Sequence, residues 1–174
     1  MGLRTFVLGA LMAVPTMAFA GQVHAVLAAD AIPTHIRPTT EAVATLLKGA
    51  LGRSATLREL AATIEASDLL VFVVVSAEPG TWRGGTRFAA VAVDERMVIV
   101  TINAGLDARE KLAVLGHEWQ HVCEVAANRD VTDQAGMRRL FERIGHLAGP
   151  EGDVYETAAA QRIERQVRAE IVRR

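Results

Sequence analysis

The segment Leu115-Gly116-His117-Glu118-Trp119-Gln120-His121-Val122 holds the densest chemistry in the chain. Histidines four residues apart on an α-helix project from one face about one turn apart, so a single divalent metal can take a nitrogen from each. Glu118 stands beside that pair, one residue along. Its carboxylate can reach a water on such a metal without becoming a ligand, which is the placement wanted of a general base. Five-residue patterns do arise by chance: with 5 His in 174 residues, a shuffled sequence would contain His-Glu-x-x-His with a probability of ~0.01. Context weighs further against chance. Leu112, Leu115, Trp119, Val122 and Val125 fall on the opposite side of the same helix and would pack it into a core, leaving the histidines to face a cleft.

Two helix ligands leave a zinc site incomplete, because catalytic sites usually have three protein ligands and one water. The metzincin extension would need glycine and histidine where this chain has Glu124 and Ala127, so that class is excluded. A glutamate or aspartate from elsewhere becomes the natural third ligand. Glu156, in Val154-Tyr155-Glu156-Thr157-Ala158-Ala159, is the leading candidate, since its small neighbours allow close approach to the histidine helix. Its competing role is a helix-capping pair, Asp153-x-x-Glu156; Asp153 is the reserve ligand. Glu124, a further turn along the histidine face, either hydrogen-bonds His121 from behind or is solvated. Cys123 reads as a small packed residue, and His24 and His35 as solvated. Arg162, Arg165, Arg168, Arg173 and Arg174 interleave with Glu164 and Glu170, the composition of a solvated helix with local ion pairs.

The elements that must position these residues follow from periodicity. Val43, Leu46, Leu47 and Leu51 mark a helix over residues 41–51 that stops at Gly52, and Thr56-x-x-Glu59 has the form of a capping box for a second. The period then changes: Leu69 to Val75, Phe88 to Val93 and Met97 to Ile102 are β-branched or apolar runs bounded by turn residues, which predicts three strands. The short Asp94-Glu95-Arg96 connection makes the last two an antiparallel hairpin. The Glu78 to Gly85 segment reads as a solvated loop before it reads as a cleft rim, and lacks the Gly-Lys-Ser/Thr ending of a phosphate-binding loop. Helices follow over about 108–127, capped by Asp107, over about 132–147, and from Val154 onward. Segregated blocks of helices, strands and helices predict an α+β domain.

A chain of this length with 51% hydrophobic and 22% charged residues reads as one globular domain. Its formal net charge of −1 with interspersed signs gives no electrostatic footprint for nucleic acid. Arg4, the apolar run Phe6 to Phe19 and Ala18-Phe19-Ala20 have the form of a signal peptide, residues 1–20, whose run is too short and too broken by Pro15 to span a bilayer. Residues 21–39, with Pro33 and Pro38, read as an extended lead-in, and residues 40–174 as the folded domain.

The histidine segment, followed 35 residues after His121 by Glu156, resembles the gluzincin branch of the zincin metallopeptidases and small exported zincin-like proteins, over roughly residues 98–165. Only the two-histidine motif within it is specific. The resemblance implies Zn²⁺ held by His117, His121 and Glu156, with Glu118 as catalytic base. It also implies a strand ahead of the active-site helix that binds extended substrate along its edge, here Met97 to Asn103. The chain departs from the large gluzincins in its length, in the lack of an obvious second domain and of an evident oxyanion histidine; Tyr155 and His146 are the available groups. The expected function is that of an exported zinc metallopeptidase acting on peptide or protein substrates, without nucleic acid and without stable membrane insertion after signal removal. The alternatives are a zinc-binding interaction module of the cell envelope on a zincin scaffold, and a self-limited protein whose lead-in fills its cleft. Intact Glu118 favours catalysis over a purely structural zinc site.

Overall fold

The computed structural model describes residues 31–77, 82–148 and 154–172. The expected signal segment, most of the lead-in with His24, and Asp153 lie outside the described residues. In chain order the elements are β1 (Ile36–Pro38), α1 (Glu41–Arg53), α2 (Ala55–Glu65), β2 (Leu69–Ser76), β3 (Gly84–Ala92), β4 (Glu95–Asn103), α3 (Ala108–Ala126), α4 (Gln134–Ile144), β5 (His146–Leu147), β6 (Tyr155–Glu156) and α5 (Ala158–Val172). The arrangement is α+β, with a mixed four-stranded sheet and a separate two-stranded one.

Local hydrogen-bond chemistry sets the helix boundaries. Thr40 caps α1 by accepting from the Val43 amide, Asp107 caps α3 by accepting from Arg109 and Glu110, and Asp133 caps α4 by accepting from Gly136. Each supplies a partner to amides that the first helical turn leaves without one. Ser54 ends one helix and starts the next: its amide donates to the Ala50 carbonyl and its hydroxyl accepts from Leu57. The cap expected at Thr56 is therefore two residues earlier. Thr56 and Ser54 instead donate their hydroxyls to Glu170 of α5, which fastens the last helix to the second.

The main sheet has the order β1-β2-β4-β3, with β1, β2 and β4 parallel and β3 antiparallel to β4. Three strands were expected; Ile36–Pro38 adds the fourth, inside the segment read as a lead-in, so the folded region starts before Thr40. Three residues are too few to show alternation in sequence, and Pro38, without an amide hydrogen, is tolerated because β1 is an edge strand. The expected β3–β4 hairpin forms. However, β4 is hydrogen-bonded on both sides, to β2 and β3, so Met97 to Asn103 is not a free edge; β3 is.

Alternate residues of the two central strands, Leu69, Val71 and Val73 on β2 and Val98, Val100 and Ile102 on β4, are buried. They form one core with Leu112, Leu115, Trp119, Val122 and Val125 of α3, the side of that helix predicted to face inward. α5 packs along the same helix. Gly116 permits this approach: a Cβ there would stand 2.8 Å from Val167 Cγ2, closer than packed carbons come.

Arg96 ties the sheet to the far end of α3. It is 4% exposed, forms a two-point ion pair with Asp68 at 2.8 Å per bond, and donates to the carbonyls of Val125, Asn128 and Val131. Those carbonyls lie in and just beyond the last helical turn, which has few partners of its own. Arg96→Met should therefore lower unfolding stability by about 2–3 kcal/mol, the loss of several hydrogen bonds to a charged group, read as a reduced urea midpoint with an unchanged slope.

Candidate metal centre

His117 and His121 leave α3 one turn apart, both buried, and their Nε2 atoms face each other at 3.1 Å. Glu156 Oε2 stands 3.2 Å from His117 Nε2. The two remaining ring nitrogens face carboxylates: His117 Nδ1 is 3.1 Å from Glu164 Oε2 and His121 Nδ1 is 2.9 Å from Glu124 Oε2. An ionised carboxylate only accepts, so each Nδ1 carries a proton and each Nε2 faces inward, where it offers a lone pair once its own proton has left. Two ring nitrogens and one carboxylate oxygen thus lie within 4.8 Å of one another, and Glu156 Oε2 is buried without a hydrogen-bond partner. Ligand atoms about 2.0–2.1 Å from a tetrahedral metal lie about 3.3 Å apart, which the two separations from His117 Nε2 approach. The group His117, His121 and Glu156 fits a metal ion.

The surrounding charge has the same sense. Burial opposes a positive His117, but Glu156, Glu164 and Glu118 outweigh burial and push its imidazolium up to about 10. The carboxylates thus favour positive charge at the centre, in the form of the His117 proton.

Glu156 reaches this position from a strand rather than from the expected start of the last helix. β6 pairs with β5 antiparallel, His146 opposite Glu156 and Leu147 opposite Tyr155, and α5 starts only at Ala158. The capping role is taken by Thr157, whose hydroxyl accepts from the Ala160 amide at 3.1 Å, which frees Glu156 to point inward. The same hydroxyl donates to Glu124 Oε1 at 2.8 Å. Glu124 is therefore held behind His121 and not solvated, and although burial opposes its charge, the bonds from His121 and Thr157 keep its pKa below the usual carboxylate range.

Glu118 is buried beside the histidines and lies outside the ligand group. Thr86 Oγ1 of β3 donates to its Oε2 at 2.8 Å. Burial raises its pKa, against the pull of His121 and His117, which increases its appetite for a proton. Gly84 makes room for it: a Cβ there would lie 3.0 Å from Glu118 Oε1 and 2.5 Å from Val114 Cγ1. Gly84 and Gly85, the end of the segment read as a solvated loop, in fact line the cleft over the histidines. Its volume is about 600 Å³, with Met137 and Phe141 of α4 on another wall. The Phe141 ring meets His121 edge-on, centroids 4.9 Å apart.

Other candidates are sorted by the same geometry. Tyr155 lines the cleft, with its hydroxyl donated to Glu142 at 3.1 Å. His146 is exposed on β5 and is not among the cleft residues. Cys123 lies on a different groove, its thiol pushed up to about 12 by burial, as suits a packed residue. His35 is half-buried and apart from the metal group.

Glu164 corrects the reading of α5 as a solvated face, while Arg168, 40% exposed, forms the expected local ion pair with it. The Glu164 side chain is 12% exposed. While Oε2 meets His117, Oε1 accepts from Arg83 at 2.7 Å and Arg168 at 2.8 Å. Both arginines also pair with Glu110 of α3, closing a ring of four charges. The His117 bond, with Arg83 and against burial, brings Glu164 down to about 2. One signal was available: Ala160, Val167 and Ile171 mark the buried stripe of α5, and Glu164 lies one turn beyond Ala160 on its flank. Nothing in the local pattern singled out Thr86 or Arg83.

Glu164→Gln keeps an acceptor for Nδ1 but removes the charge, and should weaken Zn²⁺ affinity about 10- to 100-fold without altering the circular dichroism spectrum. His117, held near 10, is protonated in metal-free protein at neutral pH, so metal must displace that proton. Affinity should rise about tenfold per pH unit between pH 6 and 8, with about one proton released per metal by calorimetry in buffers of differing ionisation enthalpy.

Comparison with known proteins returned no match to a family model, to a curated protein or to a solved structure.

Proposed function

We propose that this chain is an exported zinc metallohydrolase that cleaves peptide bonds, with His117, His121 and Glu156 as ligands and Glu118 as general base. The carrying observation is the grouping of three inward-facing donor atoms, each imidazole backed by its own carboxylate, next to a buried glutamate that is not part of the group. Two nitrogens and one carboxylate oxygen are a donor set of catalytic zinc sites, which leave a fourth position open. Zinc bound there would supply a Lewis acid and lower the pKa of its water.

The rest of the chemistry belongs to the protein. Glu118, with a raised proton affinity, receives a proton at its carboxylate and passes it to the departing amine. Thr86 occupies Oε2 and so fixes the direction in which the other oxygen faces. Glu164 and Glu124 hold the imidazole planes and keep both Nε2 atoms turned inward. The apolar wall of Met137 and Phe141 excludes water from one side of the cleft, which strengthens each charge interaction inside it. Export is part of the proposal on the pattern of residues 1–20; among the described residues no helix is long and apolar enough to cross a membrane.

Glu118→Gln separates holding the metal from using it. The variant should retain zinc and normal folding while hydrolysis of an unstructured protein substrate falls at least about a hundredfold. His117→Ala should lose the metal as well. Loss of zinc from Glu118→Gln would make the carboxylate a ligand and end this mechanism. Tight zinc binding by the wild type with no cleavage across a broad peptide panel would favour an interaction module.

A further inference from the structure

The edge of β3 that borders the cleft is open over a short stretch, and the direction of its amides locates it. Asn103 donates its amide to the Arg83 carbonyl at 3.0 Å, and the register continues through Gly85 opposite Thr101 and Arg87 opposite Ile99. In an antiparallel pair, hydrogen-bonded and non-bonded positions alternate. Arg83, Gly85 and Arg87 therefore turn their main-chain groups toward β4, while Gly84, Thr86 and Phe88 turn theirs toward the free edge. The Phe88 amide is taken: the side-chain carbonyl of Gln134, the first residue of α4, accepts from it at 2.8 Å. Among the described residues no hydrogen bond engages the main-chain groups of Gly84 or Thr86. Both line the cleft and both stand against Glu118.

We propose that Gln134 closes the substrate groove at Phe88, so that a peptide laid along β3 pairs with Gly84 and Thr86 alone and carries at most about two bound residues N-terminal to the bond facing Glu118. This deepens the peptidase reading and rests on it. An added strand pairs more strongly antiparallel than parallel, which sends its N-terminal residues toward Phe88. There the Gln134 carboxamide already occupies the place of the next strand's carbonyl, as side chains that blunt sheet edges do. The substrate class that fits is a short peptide or the N-terminal end of a longer chain, trimmed near its terminus. Gln134 acts on specificity: among the described residues its side-chain carbonyl bonds the Phe88 amide and neither a metal ligand nor Glu118.

The test uses peptides with a constant C-terminal half and one to five residues ahead of the cleaved bond. Cleavage is followed by mass spectrometry with wild-type protein, and binding by fluorescence anisotropy with zinc-loaded Glu118→Gln protein. Both should strengthen up to the second residue and stay level afterwards. Gln134→Ala frees the Phe88 amide, so a third residue should add about threefold to tenfold, the worth of one main-chain hydrogen bond; Gln134→Glu keeps an acceptor and should behave as wild type. Without peptide, Phe88 amide exchange should quicken in Gln134→Ala and not in Gln134→Glu. If wild-type protein gains with every added N-terminal residue, if the limit falls on the C-terminal side, or if Gln134→Ala matches wild type, the proposal is overturned while the hydrolase reading stands. If no peptide binds or is cleaved at any length, the hydrolase reading falls and this inference with it.

Discussion

Around two imidazoles the fold gathers Glu118, Glu124, Glu156 and Glu164, four carboxylates of which most of the surface is removed from water. A buried charge without a partner costs several kcal/mol, so the arrangement persists only if each acid is matched. Thr157 and His121 answer Glu124, Arg83 and Arg168 answer Glu164, and Thr86 answers Glu118. Glu156 Oε2 is left without a hydrogen bond, 3.2 Å from His117 Nε2. The protonated His117 answers it in the metal-free protein, and the remaining architecture can be read as what brings these groups within reach of one another.

That demand constrains packing at two contacts. α5 must lie close against α3 for Glu164 to meet His117, and Gly116 removes the atom that would collide with Val167. β3 must lie equally close to the other side of α3, and Gly84 removes the atom that would collide with Val114 and Glu118. In both places the residue without a side chain is adjacent in space to the chemistry. Extra volume in a dense interior forces the neighbours apart, so a methyl group at either glycine would act on the site through its walls.

The segment Arg83 to Thr86 joins several of these demands in four residues. Arg83 bridges Glu110 and Glu164, Gly84 admits Glu118, and Thr86 holds it. Because strand residues alternate in direction, main-chain groups of Gly84 and Thr86 remain available at the edge while their neighbours bond to β4. One short stretch thus orients Glu118, supports His117 through Glu164 and borders the cleft.

What the sequence determined by itself was whatever depends on local spacing. The four-residue step from His117 to His121 placed both on one helical face, the position of Glu118 one residue on kept it out of the ligand group, and the apolar stripe of α3 named the buried side correctly. Runs of β-branched and apolar residues bounded by turn residues likewise located β2 and the β3–β4 hairpin. Only the tertiary structure decided matters of long separation. Glu156 was singled out from sequence but assigned to a helix, since a two-residue strand such as β6 exists through pairing with β5 and has no pattern of its own. Glu164 was read as solvated because an Arg- and Glu-rich helix looks alike whether its glutamate meets water or an imidazole; His117, 47 residues away, makes the difference. The sheet edge moved from β4 to β3 for the same reason: strand order arises from which surfaces bury one another, and alternation within a strand carries no information about its neighbours.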